Sequence, residues 1–277
     1  MKSARGFTLI ELVVTIAVSA IVLVFAGMFI QAPFDAYTAT TARAEIHDSL
    51  SIAWPRMERD ILEALPNSAR INQSGTVWAL ELLPVKESAR FMSAPGPGAF
   101  NTAGYFRTVS SNHSATAPIA PTVGTRFLSI NNQPPNDAYA LTNVMTPANR
   151  TLTFSGNAGV DEDTIAITPA FAFSTGSSKR IYLVTRPVTY LCNPAAGTLQ
   201  RFSDYTIATS QANRNTAAKL TAAGAAVSVV ARDITSCNFS QLPANLVHGQ
   251  IVTIRITTSR NGETTSILHR VALEKLQ

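Results

Sequence analysis

Hydrophobic positions along this chain follow three successive patterns. From Leu12 to Ile30, 19 residues carry no formal charge. As a helix at ~1.5 Å per residue, such a run spans roughly 28 Å, about the hydrocarbon thickness of a bilayer. Next, Ile46, Leu50, Trp54, Met57, Ile61 and Leu65 recur at steps of three and four, the spacing of one helix face. Arg43, Glu45, Asp48, Arg56, Glu58, Arg59, Asp60 and Glu63 fall largely between them. The spacing predicts one N-terminal helix that leaves lipid and lays its outer half on a globular domain. Pro33 and Pro55 should kink or interrupt it, and Leu65-Pro66-Asn67 should end it.

Beyond residue 75 the pattern changes to strands, at 76–83, 125–130, 151–154, 163–168, 180–192 and 225–234. The clearest hairpin joins QIVTIRITTSR to ETTSILHRVAL through Asn261-Gly262, which suits a type I′ turn because both central residues need positive φ. In its first arm Val252, Ile254 and Ile256 alternate with Thr253, Arg255 and Thr257, giving one buried and one wet face. Stretches 93–124 and 131–150, rich in Gly, Pro, Ser, Asn and Thr, read as loops or decorations. The fold class is therefore α+β: a long kinked N-terminal helix packed on an antiparallel sheet with loop insertions.

Charge changes this picture at the N-terminus only. The formal net charge is +5, and Lys2 and Arg5 precede the apolar run, whereas no basic residue follows it until Arg43. The positive-inside rule leaves the short N-terminus in the cytoplasm and sends the rest outward, the head to the periplasm. The remaining excess is a weak argument for nucleic acid: Arg201, Arg214, Lys219 and Arg232 are too dispersed for a patch and lack interleaved aromatics. In an exported head, Cys192 and Cys237 point to a disulfide, the alternative being two separate buried thiols.

Glu11 stands at the edge of the apolar run, where an unpaired carboxylate drawn into lipid costs a few kcal/mol. It requires a partner. The stretch Gly6-Phe7-Thr8-Leu9-Ile10-Glu11, followed directly by the uncharged run, resembles the processing signal of type IV prepilins and type II secretion pseudopilins. The resemblance implies cleavage between Gly6 and Phe7 by a membrane peptidase and N-methylation of Phe7. It also implies retention of the apolar helix as the filament core. Glu11 becomes the fifth mature residue, and its partner would be the Phe7 amine of a neighbouring subunit. A misregistered subunit would leave two costly charges unpaired. The family's proline near mature residue 22 is matched here by Met28, so the implied kink moves to Pro33.

The resulting organisation is a leader at 1–6, a membrane and filament-core helix at 7–34, its amphipathic continuation at 35–66 and a β-rich head at 67–277. MERDILEALPNSARI, PVTYLCNPAAGTLQRFSDY and the hairpin ending in LHRVAL resemble minor pilins of mannose-sensitive haemagglutinin (MSHA) pili. That resemblance implies a structural subunit acting in assembly initiation near the tip and supporting adhesion. Its partners would be other minor pilins, the major pilin, the prepilin peptidase, the inner-membrane assembly platform and, before assembly, lipid. Size favours a minor subunit, and retention of Glu11 places it below the cap, which in pseudopilins characteristically lacks that acid. The alternatives are a type II secretion minor pseudopilin of the J kind and a tip-located binding subunit that uses the 93–150 loops.

Nothing in the sequence argues for catalysis. GxSxG, HExxH and phosphate-binding glycine loops are missing, and His47, His113, His248 and His269 have no site-like spacing. His47 reads as solvated and His269 as a surface or cross-strand residue. Asp161, Glu162 and Asp163 offer hard oxygen ligands for calcium. They lack the alternating acids and distal Glu of a known loop, so an acidic turn is the expectation and no cofactor is implied.

Overall fold

One α-helix, α1 (Leu9–Leu62), carries the N-terminal fifth of the chain in the computed structural model, which describes residues 8–91, 99–103, 122–123, 126–133, 137–141, 143–156, 162–174, 179–245 and 249–273. Pro33 and Pro55, expected to kink or interrupt the helix, both lie inside α1, and neither interrupts it. Each proline deletes only one helix donor, and both rings sit on exposed positions, where the freed carbonyl one turn earlier is open to solvent or to a neighbouring chain. The helix stops at Leu62, with Glu63 as its C-cap, just before the predicted Leu65-Pro66-Asn67.

The rest is antiparallel β structure, but in three sheets rather than one. In chain order the strands are β1 (Arg70–Ser74), β2 (Val77–Leu82), β3 (Val85–Phe91), β4 (Ala99–Ala103), β5 (Thr122–Val123) and β6 (Arg126–Ser129). After the short helix α2 (Asp137–Ala140) come β7 (Thr151–Gly156), β8 (Glu162–Thr168), β9 (Arg180–Thr185), β10 (Val188–Asn193) and β11 (Thr198–Ser203). Helix α3 (Ala217–Ala222) precedes β12 (Ala226–Arg232), β13 (Ile234–Leu242), β14 (Ile251–Arg260) and β15 (Glu263–Ala272). A five-stranded sheet runs β1-β2-β10-β11-β12, a three-stranded sheet β13-β14-β15, and a seven-stranded sheet β5-β7-β8-β4-β3-β9-β6.

One ribbon connects the first and last of these. β2 pairs with β10 in the five-stranded sheet, and β3 pairs with β9 in the seven-stranded one. Pro84 divides β2 from β3, and Arg186-Pro187 divides β9 from β10, so the predicted single strand at 180–192 is two strands in two sheets. Proline cannot donate to a ladder, and a break at the same level in both strands lets the ribbon change sheets. Everything between β3 and β9 is an insertion on that ribbon. It has its own core of Leu128, Ile130, Leu152, Phe154, Ile165, Ile167, Ile181 and Leu183. The stretches read as loops therefore contribute β4, β5 and α2 where they are described.

The main core lies between the outer half of α1 and the other two sheets. Ala42, Ile46, Leu50, Ala53, Met57 and Ile61 form the buried helix stripe. Five of these pack with Leu80, Leu82, Tyr190, Leu199, Phe239, Val252, Ile254 and Ile256. Trp54 flanks the stripe and stacks on His269 at 3.7 Å between ring centroids, with the rings 10° from parallel. Asp60 anchors the helix end, accepting from Tyr190 Oη at 2.8 Å and Arg201 Nε at 2.7 Å. The hairpin turn is as expected: Asn261 and Gly262 have φ of 50° and 83°, and Val252, Ile254 and Ile256 point inward. Cys192 and Cys237 form a disulfide from β10 to β13, with Cα atoms 6.4 Å apart, joining two sheets inside the core.

The opposite face of the five-stranded sheet is covered by the 205–225 segment through Ala79, Leu191, Phe202, Tyr205 and Leu220. On that face Glu81 is wholly buried, and its carboxylate accepts Arg70 Nε at 2.8 Å and Tyr205 Oη at 2.9 Å. Burial pushes the Glu81 carboxyl up, and the Arg70 guanidinium opposes that shift. Arg70 also donates to the carbonyls of Ala208 and Thr209 and lies 3.5 Å from the ring centroid of Tyr139 in the insertion. One guanidinium thus ties strand, covering segment and insertion together.

Replacing both cysteines by Ser should lower unfolding stability by about 2–5 kcal/mol. Arg70→Leu, which strands the buried Glu81 charge, should cost about 3–5 kcal/mol. Urea unfolding of the full chain in neutral detergent, followed by tryptophan fluorescence, reads both. A change below 1 kcal/mol in either would contradict the assignment.

Candidate functional site

The candidate site is the exposed half of α1. From Leu9 to Thr41 the helix runs roughly 50 Å at about 1.5 Å per residue before Ala42, the first buried position among its described side chains. Among the described residues, Leu9–Gly27 is the one helical stretch long and apolar enough to cross a membrane, and none of it is buried against the protein. Leu12, Val13, Ile16, Val18, Ile21, Leu23 and Phe25 are exposed around the whole circumference. A helix apolar on all sides is suited to lipid or to other apolar helices, not to water.

A helix suits that role because its backbone bonds are internal, and in lipid no water can satisfy them. The polar side chains respect the same constraint. Thr15 donates its hydroxyl to the carbonyl of Leu12 at 2.9 Å. Where the helix leaves the apolar run, Thr38, Thr40 and Thr41 donate in the same way to Asp35, Ala36 and Tyr37.

Glu11 lies in the first turn. Thr8 is the N-cap in extended conformation, and its carbonyl accepts from the Glu11 and Leu12 amides at 3.2 Å. Thr8 and Glu11 therefore have capping-box spacing, a signal present in the sequence but not used there, although the Thr8 side chain makes no capping bond. The positive end of the helix dipole favours a carboxylate at this position. Among the described residues no side chain pairs with Glu11, which is exposed and far from the head. Gly6 and Phe7 lie outside the described residues.

Ion pairs of Arg43 and Arg260 set where the helix leaves the body. Arg43 donates to Glu263 at 2.8 Å beside the hairpin turn, and Arg260 meets Glu45 at 2.8 Å and Asp233 at 3.3 Å. The hydrogen bond from Arg43 holds the Glu263 carboxyl below the usual range. Because this pKa is depressed on folding, the pair's contribution is present above the ordinary carboxylate range and is lost as pH falls through the lowered value.

The other sequence candidates do not converge. Glu162 and Asp163 open β8, paired with Ala103 and Thr102 of β4, while Asp161 lies outside the described residues. The described residues hold no group of three His, Cys, Asp or Glu side chains placed for a metal ion. His47 is exposed, and His269, opposite Ile254 on the hairpin, carries the Trp54 stack. His113 and His248 lie outside the described residues. Cys192–Cys237 is internal to the head, in the core that the outer half of α1 shares.

Residues 1–27 match the family model described as the prokaryotic N-terminal methylation motif. No curated protein matches the chain, and no solved structure does. The motif together with the apolar N-terminal helix supports a type IV pilin or pseudopilin and membrane anchoring before assembly.

Replacing Val18, mid-span and exposed, by Lys should raise the apparent free energy of insertion by about 2.5–3.5 kcal/mol. Glycosylation-tag insertion assays measure it. Insertion equal to the unaltered chain would show that this segment does not lie in lipid.

Proposed function

We propose that this chain, which carries a prepilin-type N-terminus, is a minor pilin of an MSHA-type type IV pilus, acting in assembly initiation near the tip and supporting adhesion. The observation that carries the reading is a single helix whose first half has no partner in its own chain and whose second half is the core of a large head. The organisation is a leader at 1–6, a membrane and filament-core helix at 7–34, an amphipathic continuation at 35–66 and a head at 67–277. The precursor sits in the inner membrane with its N-terminus cytoplasmic and its head periplasmic.

Cleavage between Gly6 and Phe7 frees an amine that methylation leaves able to carry charge. In the assembled filament that amine meets Glu11 of an adjacent subunit. In apolar surroundings the attraction is strong, and a slipped register leaves both charges unpaired. The partners are other minor pilins, the major pilin, the prepilin peptidase and the assembly platform; no cofactor and no catalysis are required.

The head favours a minor rather than a shaft position. The insertion between β3 and β9 builds a second, seven-stranded sheet beside the pilin body, and that bulk would crowd a tightly repeated shaft. A minor pseudopilin of a secretion system shares the same N-terminal mechanics and differs in the filament it joins.

Intact mass and N-terminal peptide sequencing of the membrane-extracted protein, from cells with and without the prepilin peptidase, test the reading. The expected mature chain begins at N-methyl-Phe7 and gains two mass units on reduction. Without the peptidase the chain should keep its leader. A leader retained in peptidase-competent cells would overturn the proposal.

A further inference from the structure

Where the β2–β3/β9–β10 ribbon changes sheets, a cleft of about 440 Å³ opens, lined by Arg126, Thr185, Arg186, Val188, Arg201, Ser203 and Asp204. Its residues are brought together by the strand registers. Arg126 of β6 pairs with Thr185 of β9, Val188 of β10 pairs with Ser203 of β11, and Arg186 occupies the break between the two sheets. Three guanidiniums, from β6, from β11 and from the break between β9 and β10, therefore share one concavity.

The three differ in what holds them. Arg201 is held by Asp60 at 2.7 Å, a pair with both side chains mostly buried. Arg186 meets both the carboxylate and the backbone carbonyl of Asp204 at 3.4 Å, and the Asp204 side chain is 72% exposed. Arg126 is half-buried and, among the described residues, has neither a hydrogen bond nor an ion pair. A guanidinium that has lost part of its water without gaining a partner is poised for an oxyanion, which its planar fork binds through two parallel bonds. The Ser203 hydroxyl adds a donor on the same wall, the Thr185 hydroxyl being turned to the Pro84 carbonyl at 3.4 Å, and Asp204 stands in for the ligand against Arg186.

We propose that this cleft is a binding site for a compact oxyanion, a phosphate or carboxylate group, with Arg126 as the principal contact, Arg186 as the second and Asp204 as an internal competitor. The cleft is larger than a bare anion, so the group can arrive free or carried on a sugar. The site lies near the Asp60 end of α1, remote from the membrane-spanning half, and it stands whether or not the assembly reading does.

Isothermal titration of the full-length chain in neutral detergent micelles, at constant ionic strength, tests this with two probes: inorganic phosphate and galacturonate. Saturable phosphate binding is expected, weakened at least tenfold by Arg126→Gln and unchanged by Arg255→Gln on the exposed face of β14. Asp204→Asn should tighten binding several-fold, a gain that a folding defect cannot mimic. Galacturonate binding with the same dependence on Arg126 would identify an acidic sugar as a source of the group; phosphate binding alone would assign the site to free phosphate. No saturable binding of either probe, or binding indifferent to both Arg126→Gln and Asp204→Asn, would overturn the proposal.

Discussion

A helix that must be compatible with two solvents governs this molecule. Its first half meets lipid or other apolar helices on every side, so its backbone and hydroxyl groups are satisfied within the helix itself. Its second half belongs to a water-soluble head and needs a conventional amphipathic stripe. The change occurs at Ala42, where the first side chain is buried, and Arg43–Glu263 and Glu45–Arg260 hold the helix at that level. Upstream of that point, Glu11 is the one charge within the apolar span, and among the described residues of its own head none is positioned to neutralise it.

The head follows from the stripe. Ile46, Leu50, Met57 and Ile61 require an apolar surface, which the five- and three-stranded sheets supply from β2, β10, β11, β13 and β14. The disulfide fastens those two sheets together within the core. Covering the far face of the five-stranded sheet buries Glu81, and only a buried cation makes that tolerable. Arg70 provides it and at the same time contacts Tyr139 of the insertion. The seven-stranded sheet is thus fixed to the rest of the head through a charge that the rest of the head itself needs.

Much of this was legible in the residues, for physical reasons that differ by element. The lipid-compatible run, the stripe through Ile46, Leu50, Met57 and Ile61, and the Asn261-Gly262 hairpin each rest on a local rule that tertiary structure had no cause to override. Trp54 was read as stripe and Ala53 was not, because a small side chain carries little hydropathy signal although it permits the closest approach of helix to sheet. The run at 180–192 looked like one strand because its apolar content is continuous, and Pro187 alone marked the change of sheet. Strand β11 leaves a weak signal because TLQRFS is largely polar. The seven-stranded sheet was hidden in stretches whose composition resembles loops. Of the candidate site, Glu11 was conspicuous for its charge, whereas the Arg126 cleft joins β6 to the separate 185–204 stretch and leaves no local trace.

An exposed apolar helix ahead of a large, stapled head is what a filament subunit requires before and after assembly: an anchor first, a core element later. The most direct test is quantitative mass spectrometry of filaments sheared from the cell surface. The account predicts the mature chain in that fraction at far less than one copy per major subunit, and its loss from the fraction when Glu11 is replaced by Ala although the membrane pool persists. Sheared filaments free of this chain, with the whole pool remaining in the inner membrane, would contradict it.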